Sequence, residues 1–313
     1  MTVRHKGFLA VDVALVPAVV NAVLVTLQEY GIWQPFQFPP EAAGHVSSSA
    51  LIGNPNDVGA YLAIPAVAAA VATGTATGAR RIAYLAISLV LGVGIIASGA
   101  RGCIIAYGAA LVVLLLSRSL RTAIGVTVLL ILVAAAIASP ATLAGRQMRQ
   151  LWTAAREQRY DVLFSERLPP FLCAIDMFRD HPIVGVGPGC FKFHYMAYRL
   201  ALVKRYPESW TRGWPGNWGE THNDHLQLLA EAGTPAYLLF LAAVVVIGRR
   251  SVTLDQSKRP HQLTRRFAAN LAMPLVVTMF LTTVAQFPLQ LAAPRLMFLY
   301  FGALCMAWSE NAA

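Results

Sequence analysis

Long apolar runs dominate this sequence and constrain its fold more than any other feature. Eight such runs are separated by polar segments, at residues 8–28, 57–73, 81–97, 103–116, 122–138, 225–247, 267–287 and 290–308. Most of them approach the length of about 20 residues that an α-helix needs to cross a bilayer. Lipid offers backbone groups no partners, so helices are expected. Only 13% of the residues are charged, a fraction well below the charged fraction of about 25% in a soluble domain. The sequence predicts an all-α, polytopic membrane helix bundle of about eight transmembrane helices.

The distribution of Lys and Arg among the loops predicts the orientation of these helices. If the N-terminus is cytoplasmic, the inner segments hold twelve basic residues and the short outer loops hold two, Arg101 and Arg295. Cytoplasmic loops carry such an excess. We expect a single multi-pass membrane domain, residues 1–313, with both termini in the cytoplasm. Residues 140–222 then form an extracytoplasmic loop subdomain between the fifth and sixth helices. The net charge of +10 is not read as a sign of nucleic-acid binding, because about half of the basic residues determine membrane topology. We expect no nucleic-acid partner.

The 140–222 segment is too long to be a passive connection. It contains a predicted helix at residues 166–181 and then a turning segment rich in glycine and proline, PIVGVGPG. The aromatic residues that follow suit a lid at the membrane interface. The eleven basic residues of the segment would suit an anionic ligand, but composition alone favours a solvated loop surface. Cys173 and Cys190 share the segment, and an oxidising compartment would allow them to pair without requiring it.

The stretch THNDH places polar residues at the start of the sixth predicted span. His222, Asn223 and His225 lie at its mouth, and Glu231 lies about two turns deeper. Asn223 or Asp224 suits a helix cap, His222 suits an interfacial polar residue, and the two histidines give a weak zinc pattern. Glu231 is harder to explain structurally, because an ionisable group inside a span marks a functional or pairing site.

Two arginines are candidate anion ligands. Arg101 lies in the turn SGARG at the predicted outer face, where the short loops carry few basic residues. We therefore expect it to have a negative partner, such as Asp57, Glu231, a lipid headgroup or a phosphate. Arg167 opens the predicted loop helix. The segment GNPND, with Asn54 and Asn56, reads as a turn followed by a capped helix start.

Four segments together resemble a known family in order and spacing: GNPNDVGAYL, SGARG, ERLPPFLCAIDMFRDHPIVGVGPGCF and HNDHLQLLAEAGTPAYLL. They are similar to the O-antigen ligase and O-antigen polymerase superfamily of bacterial inner-membrane glycosyltransferases, and the resemblance extends from about Leu15 to the C-terminus. It implies a GT-C-like enzyme that uses neither a metal nor another cofactor. Such an enzyme takes a glycan from undecaprenyl diphosphate on the periplasmic side. The acceptor is a sugar hydroxyl on a glycan or on lipid A core, or a protein hydroxyl.

The resemblance also implies roles for individual residues. His222 matches the family's histidine and is the expected general base, and Arg101 and Arg167 match arginines expected to hold the diphosphate. We assign Glu231 to orienting a neighbouring group, with an arginine as a candidate. A second set of polar residues is expected to bind substrate: Asn54, Asn56, Asn223 and His225.

The sequence also fits alternatives to an active transferase. Family members usually have several further spans ahead of the segment that matches residues 8–28, so this chain reads as a shortened member, a misassigned start or a degenerate copy. An inactive assembly partner is therefore one alternative. A polytopic transporter or channel is another, although the polar residues gather at the outer face rather than at midplane depth. Ligase and polymerase share a donor and are not distinguished.

Overall fold

The computed structural model describes residues 4–35, 48–117, 143–159, 167–206, 218–255 and 263–310. Within these ranges the regular structure is helical and contains no strand. The helices are α1 (Arg4–Glu29), α2 (Pro55–Thr75), α3 (Gly78–Ala97), α4 (Arg101–Leu116), α5 (Leu143–Arg156), α6 (Leu168–Asp180), α7 (Phe191–Arg205), α8 (Asp224–Asp255), α9 (Leu263–Ala285) and α10 (Ala292–Glu310).

The helices confirm the prediction of an all-α polytopic membrane bundle. Five of them are long and apolar enough to cross a membrane: α1, α2, α3, α8 and α9. The runs predicted at 103–116 and 290–308 are also helical, as α4 and α10, but their apolar helices are shorter. The run predicted at 122–138 lies outside the described residues.

The chain divides into two compact units. The first comprises Met1–Ser119 and Ala242–Ala313, and the second comprises Leu120–Leu241. Helix α8 begins in the second unit and ends in the first. The segment 140–222, predicted as a loop subdomain, falls within the second unit.

In the first unit, α2 is the central helix. It packs against α1, α3, α4, α9 and α10, and its small, Ala-rich sequence lets these neighbours come close. A Cβ added to Gly59 of α2 would lie 2.4 Å from the Cβ of Ala100, and one added to Gly102 of α4 would lie 2.3 Å from the Cβ of Ala285 in α9. The turn that carries Arg101 is therefore held tightly against two helices.

The first unit also contains a charged pair between α1 and α3. Arg80 donates to the carboxylate of Asp12, which accepts a second hydrogen bond from the hydroxyl of Tyr84. The Arg80 guanidinium lies 5.2 Å from the centroid of the Phe8 ring. The negative charge of Asp12, which lies inside a predicted span, is thus compensated by a neighbouring helix.

In the second unit, α6 and α7 pack together around a small core. Its buried residues are Cys173, Ala174, Met177, Phe191, Tyr195, Leu202 and Ala230. The predicted loop helix at 166–181 is confirmed as α6. Cys173 and Cys190 are free thiols. The aromatic segment begins a regular helix, α7, whose Phe191 and Tyr195 are buried while Phe193 is exposed. Trp210 and Trp214, also assigned to the lid, lie outside the described residues.

Candidate active site

A carboxylate on α8 organises the glycine-rich turn between α6 and α7. Glu231 is buried, and its side chain accepts hydrogen bonds from the backbone amides of Gly189 at 2.9 Å and Phe191 at 3.1 Å. Phe191 is the first residue of α7, so the carboxylate stabilises the amides and the positive dipole at that helix N-terminus. The described partners of Glu231 are amides, whereas an arginine was the expected candidate.

The turn and α8 are also joined backbone to backbone. The amides of Val186 and Gly187 donate to the carbonyls of Ala230 and Glu231, at 2.8 and 3.0 Å. A Cβ added to Gly185 would lie 2.2 Å from the Glu231 carbonyl carbon. Such an approach requires glycine at position 185, and Gly187 and Gly189 have positive φ values of +109° and +73°, which glycine adopts without strain.

A second glycine makes the same kind of contact from the other side. Gly233 has φ +72°, interrupts the helical geometry of α8 and lies so close to the turn that its Cβ would be 2.2 Å from the Ile183 carbonyl oxygen. The EAG segment is therefore the docking surface of the GVGPG segment, which explains why these two stretches occur together in the sequence.

His222 stands just before the first turn of α8 in an uncommon backbone conformation, with φ +56°. The conformation is fixed on both sides. The Thr221 hydroxyl donates to the Asn223 carbonyl at 2.6 Å and accepts from the Asn223 amide at 3.1 Å. The Asn223 side chain accepts from the Leu226 amide at 3.0 Å, which confirms Asn223 as the helix cap.

Gln227 connects this bend to the carboxylate. It is buried, its side-chain oxygen accepts from the Thr221 amide at 2.7 Å, and its side-chain nitrogen donates to Glu231 at 2.9 Å. A continuous set of hydrogen bonds thus runs from the start of α7 through Glu231 and Gln227 to the residue before His222.

The His222 ring is half-buried and electrostatically perturbed. Burial and then the positive charge of Arg167 lower the pKa of His222 to about 4. The ring stands edge-on to Trp218, with centroids 5.1 Å apart. His222 is therefore neutral at pH 7, the form that accepts a proton.

The other candidate residues of α8 have local partners. His225 is buried, and its Nδ1 lies 3.1 Å from the Tyr237 hydroxyl. Its ring also meets the rings of Tyr237 and Phe240 edge-on. In the part of the chain that the structure describes, no group of three or more His, Cys, Asp or Glu residues is arranged to hold a metal ion.

The first unit holds the remaining candidates at one end of α2 and α4. Asn54 caps α2 by accepting from the Asn56 amide at 2.9 Å, which confirms the predicted cap, and Asn56 accepts from the Gln286 side chain at 3.2 Å. Arg101 is the first residue of α4 and is exposed. No carboxylate among the described residues forms an ion pair with it.

Three residues of these clusters were not identified from the sequence. Gln227 and Gln286 are polar residues within predicted apolar runs, and the contact of Gln286 with Asn56 of another helix becomes visible only in the structure. Trp218 was read as part of an interfacial aromatic group. A search for i, i+4 polar pairs on α8 finds Gln227 with Glu231.

Comparison with known proteins identifies one family. The family model described as O-antigen ligase matches residues 85–241, about half of the chain. The match contains Arg101, Arg167, His222 and Glu231 but not Asn54 or Asn56. No curated protein gives a significant match.

Proposed function

Because the chain belongs to the O-antigen ligase family, we propose that it transfers a glycan from undecaprenyl diphosphate to a sugar hydroxyl, with His222 as general base. The proposal is supported by the half-buried His222 ring, which stands edge-on to Trp218 just before α8 and whose pKa is lowered by burial and by the positive charge of Arg167. Family membership indicates glycosyltransferase chemistry of the O-antigen ligase or polymerase type. The lipid-linked donor, the residues and their roles are the proposal.

The acceptor hydroxyl must lose a proton as its oxygen attacks the sugar, and His222 takes that proton. An imidazole with a pKa of about 4 is fully available at pH 7 but is a weak base, since efficient bases have a pKa near the working pH. Donor binding should raise this pKa in part. A diphosphate on Arg167 offsets the positive charge, which is the smaller of the two causes that lower the His222 pKa, so the base strengthens when the donor is bound.

Diphosphate is already a competent leaving group, so the enzyme needs fixed positive charge more than a strong general acid. Arg167 supplies it at the N-terminal end of α6, where the helix dipole is also positive. Arg101 is proposed as a second ligand. Its exposure and its freedom from ion pairs with the described carboxylates leave its guanidinium available for phosphate oxygens.

Glu231 and Gln227 act as positioning residues. Their amide and side-chain contacts fix the bend at Thr221 and His222 and do not require them to touch the substrate. Asn54, Asn56 and Asn223 hold helix starts and are proposed to offer their remaining polar atoms to glycan hydroxyls. His225, whose ring packs against those of Tyr237 and Phe240, is also proposed to bind substrate.

The proposed setting is the bacterial inner membrane, with the 140–222 segment in the periplasm and both chain termini in the cytoplasm. The Lys and Arg distribution supports this orientation. The partners are then a lipid-linked glycan donor, a glycan or lipid A-core acceptor and membrane lipids, with no metal and no other cofactor taking part.

Analysis of lipid-linked glycans tests the proposal in a strain that lacks this gene. Long chains left on undecaprenyl diphosphate would identify a ligase, and single repeats would identify a polymerase. Wild type should restore the normal profile and His222→Ala should not. His194→Ala, an exposed histidine of α7, serves as the matched control and should rescue fully. Full rescue by His222→Ala would remove the proposed base, and an unchanged profile in the deletion strain would remove the proposed activity.

The transporter alternative gains no support from the polar residues inside the spans. Asp12 binds Arg80 and Tyr84, Asn21 binds the carbonyl of Pro17 and the amide of Leu51, and Glu231 binds loop amides. These residues have structural partners and do not need a transported ion.

A further inference from the structure

Two aliphatic side chains project from the tight turn that follows α6. Ile183 is 69% exposed and Val184 is 71% exposed. Neither carries a polar side-chain atom, so exposure to water at adjacent positions is unfavourable for both. Their partner is expected to be apolar.

The backbone of this turn is fixed to α8 at its kink. The Thr234 amide and hydroxyl both bind the Pro182 carbonyl, each at 2.9 Å. The Ile183 carbonyl lies against Gly233, whose added Cβ would be only 2.2 Å away. The turn is thus attached where α8 changes direction, so its exposed side chains are held at the level of Gly233 along the axis of that helix.

Beyond the kink, α8 presents an apolar outer surface. Leu238 is 57% exposed and Leu239 is 73% exposed, and both lie within a helix segment that is long and apolar enough to cross a membrane. They follow Gly233 by five and six residues, which corresponds to about 8 Å along a helix. The exposed turn is therefore near the lipid-facing part of α8.

A neighbouring pair has the chemistry of a membrane interface. Phe193 is 74% exposed, and the Lys192 ammonium lies 5.1 Å from the centroid of its ring. These residues follow Phe191, whose amide is bound to Glu231 of α8, so they are held near the same part of the helix. Snorkelling lysines reach the level of the lipid headgroups, and an exposed phenylalanine suits the apolar side of that boundary.

We infer that the Pro182–Val184 turn is a lipid-binding wedge, which inserts Ile183 and Val184 into the bilayer leaflet beside α8. The occupant of this surface is phospholipid, because the apolar side chains continue the lipid-facing surface of a membrane span and are flanked by an aromatic-lysine pair. Lipid contact of the turn does not depend on which reaction the chain catalyses.

Spin-label accessibility in the full chain tests the wedge. Ile183→Cys and Val184→Cys are labelled separately in a background in which half-buried Cys190 is replaced by Ser, and each protein is reconstituted into phosphatidylcholine and phosphatidylglycerol vesicles. Leu239→Cys is the lipid reference. Arg179→Cys is the aqueous reference, because the Arg179 side chain is 69% exposed and lies four residues before Ile183.

The labels at 183 and 184 should collide readily with oxygen and at least fivefold less with a water-soluble nickel chelate than the label at 179 does. They should resemble the label at 239. Nickel accessibility equal to that at 179 would mean that the turn is in water. Low accessibility to both reagents would mean that protein covers it, and either result would overturn the wedge.

Discussion

The side-chain amide of Gln227 donates a 2.9 Å hydrogen bond to the carboxylate of Glu231, one helical turn further along α8. Its oxygen is thereby directed at the backbone amide of Thr221, 2.7 Å away. A single buried glutamine thus transmits the position of the α7 N-terminus to the residue that precedes His222.

Gln227→Met removes both hydrogen bonds at nearly constant volume. Each hydrogen bond contributes about 1 kcal/mol, so we expect transfer to fall about tenfold or more. The His222 pKa should also rise toward 6.5 as the loosened ring gains water. The pH dependence of transfer in proteoliposomes measures both. Gln150→Met on α5, where the side chain is exposed, is the control, and an unaltered pH profile in Gln227→Met would contradict the positioning role.

Glu231→Ala leaves the amides of Gly189 and Phe191 without their acceptor. A buried unsatisfied amide costs about 1–3 kcal/mol, so we expect marked destabilisation of the second unit, with a smaller effect for Glu231→Gln. In a Cys190→Ser background, the temperature at which buried Cys173 becomes reactive toward a fluorogenic maleimide measures this destabilisation. An unchanged transition temperature in Glu231→Ala would mean that the carboxylate does not hold the turn.

Activity should depend on pH through His222. With a pKa of about 4, the imidazole becomes protonated only as the pH falls to about 4. The value of kcat/KM should therefore fall as the pH decreases through about 4. The acid limb of kcat should lie at higher pH, because the bound diphosphate offsets the charge of Arg167.

Arg167→Gln removes a positive charge that disfavours the imidazolium form of His222. The pKa of His222 should rise, and the acid limb of kcat/KM should move to higher pH while KM for the donor increases. Arg156→Gln, an exposed arginine of α5, provides the comparison. If the limb stays near pH 4 in Arg167→Gln, the two residues are not electrostatically coupled.

Gly233→Ala combines two penalties. The backbone conformation at this position (φ +72°, ψ −172°) is essentially restricted to glycine and costs another residue about 1–3 kcal/mol, and the added Cβ would also approach the Ile183 carbonyl closely. We expect a transition temperature lower by several degrees. Gly108→Ala is the matched change, since nothing lies within 4 Å of its added Cβ and alanine favours a helix interior. Equal transition temperatures for the two variants would show that the turn yields at Gly233 without cost.

The sequence predicted helices and caps better than tertiary contacts, for a physical reason. Apolar length identified the spans, and the local chemistry of Asn54 and Asn223 identified the starts of α2 and α8. The partners of Glu231 could not be predicted, because backbone amides are present at every position and only the fold selects those of Gly189 and Phe191. Likewise, burial lowers the pKa of His222, and burial follows from three-dimensional packing.

The Asp12–Arg80 pair has a consequence for biogenesis. When α1 leaves the ribosome it carries an unpaired carboxylate, and an aspartate in a membrane helix costs up to about 3 kcal/mol during insertion. Its counter-charge belongs to α3, 68 residues later in the chain. Asp12 therefore gains its counter-charge only after α3 has been synthesised, so docking of α3 against α1 should stabilise α1 in the bilayer beyond what its own apolar side chains provide.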